Sequence, residues 1–300
     1  MTGLPTLVVV GMPDAALSRC AAMLGLHPQL APFPDLPLGM ADRLEALEDF
    51  DARSANGLLD GLRRALGGYV FGAQDEVLAA QRWLGRRGGW SWRTLMASLA
   101  EHAAPRGMAL AASSAAWRVV WLERMAAAAP DICWVHVLCH PIVECARLAA
   151  RLKQAGFVPP DYKDYGAERW PRIDPQLAWY RIHRNLQEVL SRQPPQRVWR
   201  LHVEDLLAEP EAQLAGLCGH FGLRADAAAL EPMMQPQRNP FAAPGPAGAP
   251  GGMDAEFMRD PFFTRRLRPL ASLTDPTPWR DDRDQLAAEV VSLARSFGYR

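Results

Sequence analysis

Two polar residues near the middle of the chain are candidates for acid–base chemistry. His140 follows an apolar run typical of a buried strand, and Glu144 comes four residues later. If a helix begins at Pro141, the two side chains could hydrogen-bond and present an oriented imidazole at the carboxyl edge of a sheet, where α/β proteins place their sites. The alternative is structural: His140 caps a loop, and Glu144 stabilises the positive end of a helix dipole.

The same stretch, CWVHVLCH, raises the question of a metal. It contains two cysteines and two histidines, Cys133, Cys139, His136 and His140, and zinc accepts both residue types. Alternation along a strand, however, puts the two cysteines on one face and the two histidines on the other. The pattern therefore favours a plain buried strand, and no metal is expected.

The balance of charge narrows the class of partner. The chain has 33 Lys+Arg and 33 Asp+Glu, a formal net charge of zero, which argues against a nucleic-acid coat or a polybasic membrane binder. Only Lys153 and Lys163 are lysines, so arginine must supply any cation in the N-terminal half. The densest basic cluster is Arg265, Arg266 and Arg268, which is either a solvated surface or an anion clamp over a cleft.

Strands and helices alternate around these residues. Residues 5–11 form a β-branched run that ends in Gly11, typical of a parallel strand buried on both faces, and a helix is predicted over 15–26. Recurrent proline argues against regular structure over 28–38. Later helix and strand patterns repeat the alternation, which predicts an α/β fold with a central parallel sheet flanked by helices.

The chain is predicted to be a single domain over residues 1–300. Residues 236–252 are rich in Pro, Gly and Ala with little charge, so a flexible loop is expected there. The N-terminus lacks the basic region and long apolar core of a signal peptide, and no apolar stretch is long enough to span a membrane. Together with five cysteines in apolar surroundings, this predicts a cytoplasmic protein with reduced thiols.

Four segments resemble one family. They are VVVGMPDAALSRCAAMLGLHP near the N-terminus, VHVLCHPIVECARL in the middle, RLHVEDLLAEPEAQLAGLCGHFGL over residues 200–223, and WRDDRDQLAAEVVSLARSFGYR at the C-terminus. Their order and content are similar to the bacterial sulfotransferases that use 3′-phosphoadenosine-5′-phosphosulfate (PAPS). The resemblance implies a P-loop-type sulfotransferase fold and sulfuryl transfer to the hydroxyl of a small-molecule acceptor.

The resemblance also assigns roles to residues. Gly11, Pro13, Ser18 and Arg19 would form the phosphosulfate loop. Arg147, Arg265 and Arg266 would supply further cations for the donor, and Asp35 stands nearest to the family's catalytic base.

Several anion-binding positions of the family are altered in this chain. In the phosphosulfate loop the basic residue is replaced by Asp14, the inner glycine by Ala16 and one hydroxyl by Leu17. Cys139 stands where the family has an arginine for the 3′-phosphate, and the segment AASSA (111–115) has no lysine. We expect Met12 and Leu17 to fill the phosphate cleft and Asp14 to repel an anion.

Three hypotheses follow. The first is a divergent sulfotransferase that binds PAPS through rearranged arginines. The second is an enzyme that uses the same cleft without PAPS, with Asp35, His140 and Glu144 acting on a small, hydrophobic molecule. The third is a non-catalytic pseudoenzyme that binds a protein partner.

Overall fold

The computed structural model describes residues 4–54, 57–166, 170–265, 271–282 and 284–300. Its centre is a five-stranded parallel sheet, with helices on both faces. Arg266 and Arg268 of the basic cluster lie outside the described residues. Among the described residues, no helix is both long and apolar enough to cross a membrane.

The strands and helices follow each other along the chain in this order: β1 (Thr6–Val10), α1 (Ala15–Gly25), β2 (Leu30–Asp35), α2 (Leu44–Ser54), α3 (Asp60–Val70), α4 (Val77–Gly85), α5 (Trp92–Ala103), β3 (Gly107–Ala111), α6 (Val119–Ala128), β4 (Cys133–Leu138), α7 (Pro141–Gln154), β5 (Lys163–Asp164), β6 (Arg172–Ile173), α8 (Pro175–Leu190), β7 (Val198–His202), α9 (Val203–Ala208), α10 (Pro210–His220), α11 (Ala227–Leu230), α12 (Ala255–Arg259) and α13 (Ala288–Ser296).

The main sheet has the strand order β2-β3-β1-β4-β7, and each neighbouring pair is parallel. The central strand β1 is buried over Leu7–Val10, which its continuous apolar sequence predicts. The order changes direction at β1, because the chain adds β2 and β3 on one side of it and β4 and β7 on the other. Crevices at such a reversal, at the carboxyl ends of the strands, are where open α/β sheets bind ligands.

The structure corrects one prediction about local structure and adds one strand that was not predicted. The proline-rich segment 28–38 is not irregular: it contains β2, an edge strand whose prolines lack only the N–H that a central strand would need. The sequence also gave no indication of β3, since GMALA has little β-branched character and its strand conformation depends on burial between β1 and β2.

The segment 236–252 has no long helix or strand, but it is closely attached to the domain. The buried Arg64 of α3 donates hydrogen bonds to the carbonyl oxygens of Gly251 at 2.8 Å and Ala243 at 3.1 Å. Phe241 is buried, and the Arg64 guanidinium lies 5.3 Å from its ring centroid. These contacts fix the course of the segment beside β2; its flexibility in solution stays a prediction.

Candidate active site

The β1–α1 turn lies at the carboxyl end of the central strand, beside the start of α7. Gly11 in this turn is required by packing: a Cβ there would lie 2.8 Å from the carbonyl oxygen of Val137 on β4. Met12 and Leu17 are both buried. That they fill the phosphate cleft stays a prediction. Gly11 therefore serves the contact between β1 and β4, a reason for glycine that needs no bound phosphate.

Asp14 is the N-cap of α1. Its Oδ1 accepts hydrogen bonds from the backbone N–H groups of Ala16 at 2.9 Å and Leu17 at 3.0 Å, and its Oδ2 forms an ion pair with Arg147 of α7. Free N–H groups and the positive dipole at a helix N-terminus are what bind a phosphate. Here a carboxylate of the chain itself occupies both of these N–H groups and also pairs with the nearby guanidinium.

A second pair of the same kind lies one helical turn further along α7. Arg151 forms a 2.7 Å ion pair with Asp254, whose other oxygen accepts from the N–H of Glu256 at 2.9 Å at the start of α12. The backbone N–H of Asp254 in turn donates to Ser18 Oγ at 2.9 Å. These contacts tie α12 to the β1–α1 turn.

The remaining predicted cations have other partners. Arg19 donates to the backbone carbonyl of Asp260 at 3.0 Å and lies 5.8 Å from the centroid of Phe257. Arg265 forms an exposed ion pair with Glu211. Neither arginine borders the cavity described next, so the structure does not bring Arg19 or Arg265 together with Arg147 around one anion.

A cavity of about 190 Å³ opens between the β1–α1 turn, the end of β2 and the residues that follow β3. Among the described residues that line it, the polar side chains are three carboxylates and three hydroxyls: Asp14, Asp35, Asp254, Ser18, Ser113 and Ser114. Pro13 also lines it, and no described Arg or Lys does. The cavity is smaller than the roughly 300–1,000 Å³ of pockets that hold drug-sized ligands.

Asp35 is the carboxylate of this cavity that has no basic partner among the described contacts. Its Oδ1 accepts from the backbone N–H of Ser113 at 3.0 Å, and its Oδ2 accepts the Ser113 hydroxyl. Burial raises the pKa of Asp35 to about 6, although the two hydrogen bonds from Ser113 act in the opposite direction. A carboxyl with a pKa close to neutrality can both accept and release a proton at physiological pH.

His140 and Glu144 are not partners, although α7 begins at Pro141 as predicted. His140 Nδ1 accepts from the N–H of Ile142 at 3.3 Å, and its ring packs edge-on against Tyr299. No hydrogen bond joins the two side chains in the described part of the chain. Neither lines the cavity, so the capping role proposed for His140 fits the structure better than the acid–base pair.

Glu144 points toward Asp14 and His183 instead. It is 4 % exposed, and its Oε2 lies 3.8 Å from His183 Nε2 on α8. Burial raises the pKa of Glu144 well above its usual range, and the neighbouring Asp14 adds to this effect. Nothing in the sequence singles out His183, because its position in an ordinary amphipathic helix is typical of a core residue.

Arg151, Asp254 and Ser113 are site residues that sequence reasoning did not assign. Asp254 follows the Pro/Gly/Ala-rich segment and lies 240 positions after Asp14, so only the fold brings them together. The pattern Asp254-Ala-Glu is an N-cap signal that could have located the start of α12. A larger groove of about 480 Å³ between Met40, Phe50 and Trp121 contains none of the predicted site residues.

The fold and the place of the site, at the carboxyl ends of β1 and β4, define a P-loop-type α/β protein. The chain belongs to the sulfotransferase family, whose model matches residues 5–227. The family resemblance and the sulfotransferase fold expected from the sequence are therefore confirmed.

Two solved structures share the fold over nearly the whole chain. The sulfotransferase domain of the curacin biosynthetic pathway has a TM-score of 0.76 and 18% sequence identity, covering 100% of this chain and 99% of that one. The sulfotransferase domain of the Synechococcus PCC 7002 olefin synthase has a TM-score of 0.73 and 18% identity, covering 99% of this chain and 96% of that one. No curated protein matches the sequence.

PAPS, the usual donor of the family, does not fit the residues present here. The helix N–H groups that would meet a phosphate are bonded to Asp14, and Arg147 is paired with the same carboxylate. The cavity presents acidic and hydroxyl groups to a ligand that would bring several negative charges. Like charges in a partly desolvated cleft repel, so the donor would have to displace the Asp14 carboxylate before it could bind.

Proposed function

We propose that this sulfotransferase-family protein works without PAPS and uses the cavity for a small neutral or cationic molecule. The observation that carries the proposal is the Asp14 carboxylate, which takes the two helix N–H groups and the arginine that an anionic donor needs. Two further features support it: no described basic side chain lines the cavity, and the segment after β3 has serines but no cation.

In this proposal the Asp35 carboxylate accepts a hydrogen bond from a hydroxyl or ammonium group of the bound molecule. The carboxylate faces the cavity, and its pKa of about 6 leaves it largely ionised at neutral pH. Ser113 holds the carboxylate in place with two hydrogen bonds. His140 and Glu144 have no contact with the molecule in this reading.

The first experiment is calorimetry with PAP, the product that PAPS leaves after sulfuryl transfer. We expect no heat of binding to the wild-type protein at millimolar PAP. The Asp14 carboxylate occupies the site's main hydrogen-bond donors, and PAP would first have to displace it. A dissociation constant in the micromolar range would instead restore the divergent sulfotransferase with rearranged arginines.

A second experiment addresses the cavity itself. A panel of small alcohols and amines is screened by thermal shift against the wild type and Asp35→Asn, with the exposed Asp226→Asn as the matched control. Molecules that stabilise the wild type and Asp226→Asn but not Asp35→Asn identify ligands of this site. A panel in which every stabilising molecule acts equally on all three proteins would refute the role given to Asp35.

A further inference from the structure

Residues 240–254, which we name the strap, form one wall of the cavity. The last three of them, Gly252, Met253 and Asp254, line it. The carbonyl oxygen of Gly252 also accepts the backbone N–H of Asp35 at 2.7 Å. The strap therefore holds the backbone of the residue whose carboxylate carries the proposed function.

The strap lies directly against α3 where it reaches the cavity. Gly252 has a φ of +108°, and a Cβ there would lie 2.8 Å from the Cα of Gly61. Both the backbone conformation and the close approach require glycine. The wall is thus positioned by the contact between two backbones, so a shift of the strap away from α3 would move the wall and the Gly252 carbonyl together.

Arg64 of α3 binds the strap at several points. Its guanidinium donates to the carbonyl oxygens of Gly251 at 2.8 Å, Ala243 at 3.1 Å and Pro240 at 3.4 Å. Its Nε donates to Gln74 Oε1 at 3.0 Å. Arg64 is 2 % exposed, and it is not among the residues that line the cavity. One buried side chain therefore holds three strap residues from outside the cavity.

Asp60 adds a contact one helical turn before Arg64. Its Oδ2 accepts the backbone N–H of Gly251 at 2.9 Å, whereas Arg64 binds the carbonyl oxygen of the same residue. Both polar groups of the Gly251 backbone are thus held by α3, directly before the first residue of the cavity wall.

The composition of the strap explains why an arginine holds it. Residues 242–252 are all alanine, proline or glycine, whose side chains bury little apolar surface. Their carbonyl oxygens remain as the groups that can be bound, and a guanidinium offers five N–H donors in a fixed arrangement. Burial of a charged side chain is unfavourable by itself, and the hydrogen bonds to the strap offset that loss.

We propose that Arg64 is a positioning residue of the cavity, which holds the strap on α3 and thereby fixes the cavity wall and the backbone of Asp35. The inference rests on the proposed function, because it concerns the same cavity. It assigns a role to a residue that neither lines the cavity nor belongs to the four segments that resemble the family. Without Arg64 the wall opens and water reaches the Asp35 carboxyl group.

Amide hydrogen exchange tests this role without any ligand, because two neighbouring amides have different partners. The N–H of Asp35 donates to Gly252 of the strap, whereas the N–H of Leu36 donates to the Ala111 carbonyl at the end of β3 at 2.9 Å. In Arg64→Met we expect the Asp35 N–H to exchange about tenfold faster than in the wild type. The Leu36 N–H should stay within about twofold of it.

Arg63→Met is the matched control on the same helix. Arg63 forms a 2.8 Å ion pair with Asp51, and it has no hydrogen bond to the described residues of the strap. Its loss lowers stability without releasing the strap, so the ratio of the exchange rates of Asp35 and Leu36 should stay as in the wild type. Equal acceleration of both amides in Arg64→Met, or an unchanged Asp35 amide there, would overturn the proposal.

The ionisation of Asp35 is a second readout, which a loss of overall stability would not move. Burial raises the pKa of Asp35 to about 6, and a released wall admits water. Carboxyl NMR of folded Arg64→Met should therefore show a midpoint lower by about one pH unit, and folded Arg63→Met should keep the wild-type midpoint. An unchanged midpoint in Arg64→Met would contradict a role at the cavity.

If Arg64→Met does not fold, Gln74→Ala takes its place. Gln74 accepts from Arg64 Nε and donates to the Pro240 carbonyl at 2.9 Å, so its loss loosens the strap at one end. We expect the Asp35 N–H to exchange about threefold faster in this variant, with the Leu36 N–H unchanged. An Asp35 amide that exchanges as in the wild type would then refute the positioning role.

This inference and the proposed function fail separately. Binding of PAP to the wild type would refute the proposed function and leave the exchange and NMR results untouched, because both are measured without a ligand. An Asp35 amide and carboxyl group that do not respond to the loss of Arg64 would refute the positioning role alone.

Discussion

Two helix N-termini beside the cavity are each capped by an aspartate that pairs with an arginine of α7. The two helices differ in length, and the two aspartates differ in exposure. Asp14 caps the 11-residue α1 and pairs with Arg147, whereas Asp254 caps the five-residue α12 and pairs with Arg151. The Asp14 side chain is 7 % exposed and that of Asp254 is 14 % exposed.

The two carboxylates differ in the part of the fold where they lie. Asp14 stands at the end of the central strand, in the segment that resembles the family's phosphosulfate loop, and Asp254 stands on a segment that comes from far along the chain. In each pair the charge of the aspartate neutralises that of the arginine, so the arginines of α7 add no net positive charge to the cavity. Arginines near a cleft do not by themselves make an anion site, because their partners decide what they can bind.

The largest expected effect is on stability. Asp14→Ala removes the cap of α1 and leaves a half-buried Arg147 without its partner, so we expect a loss of about 3 kcal/mol. Asp254→Ala acts on a short, more exposed helix and should lose only about 1 kcal/mol. Urea unfolding followed by circular dichroism measures both, and a loss for Asp254→Ala that equals or exceeds the loss for Asp14→Ala would remove the distinction.

A smaller effect should appear in the coupling between each aspartate and its arginine. Double-mutant cycles with Asp14→Asn and Arg147→Gln are expected to give a coupling energy of about 2 kcal/mol, because the Asp14 carboxylate is buried. The pair Asp254 and Arg151 is more exposed and should couple by less than about 1 kcal/mol. Coupling energies in the reverse order would mean that burial does not govern these pairs.

A third effect, on the pH dependence of stability and not on a lost ion pair, concerns Asp35, the cavity carboxylate without an arginine among the described contacts. Its pKa of about 6 means that the folded state holds the proton more tightly than the unfolded chain does. The wild type should therefore lose stability relative to Asp35→Asn as the pH rises from about 4 to about 6. Carboxyl NMR should show a midpoint near pH 6.

Replacement of Ser113 sharpens the same prediction. Both hydrogen bonds from Ser113 favour the ionised form of Asp35, so Ser113→Ala, which removes the hydroxyl, should raise the pKa of Asp35 further. Ser114→Ala, at a neighbouring hydroxyl of the cavity, is the matched control. A lower pKa in Ser113→Ala would show that the hydroxyl does not bond to the ionised carboxylate.

Much of the fold could be predicted from the sequence, because the order of its strands and helices follows from strong local patterns. The run Leu7–Val10 predicted the central strand, and the periodic helices on either side predicted a parallel sheet. The proline-rich β2 and the alanine-rich β3 were not predicted, because their strand conformation depends on their neighbours in the sheet.

The site was readable only where residues close in sequence act together. From its position at the start of α1 alone, Asp14 could be predicted to repel an anion. Its pairing with Arg147, 133 positions later, could not, because nothing local specifies which side chains meet across the ends of β1 and β4. The expected bond between His140 and Glu144 failed for the same reason, since the fold offers Glu144 different neighbours.

Calorimetry with PAP on Asp14→Gly, Asp254→Gly and the wild type tests most directly whether the Asp14 carboxylate itself excludes the donor. Glycine at position 14 frees the N–H groups of Ala16 and Leu17 together with Arg147, whereas glycine at position 254 frees the corresponding groups of α12. We expect Asp14→Gly to bind PAP with a dissociation constant below about 1 mM, an affinity of about 4 kcal/mol, and the other two proteins to give no heat. Micromolar binding by the wild type, or equal binding by the two variants, would contradict this account.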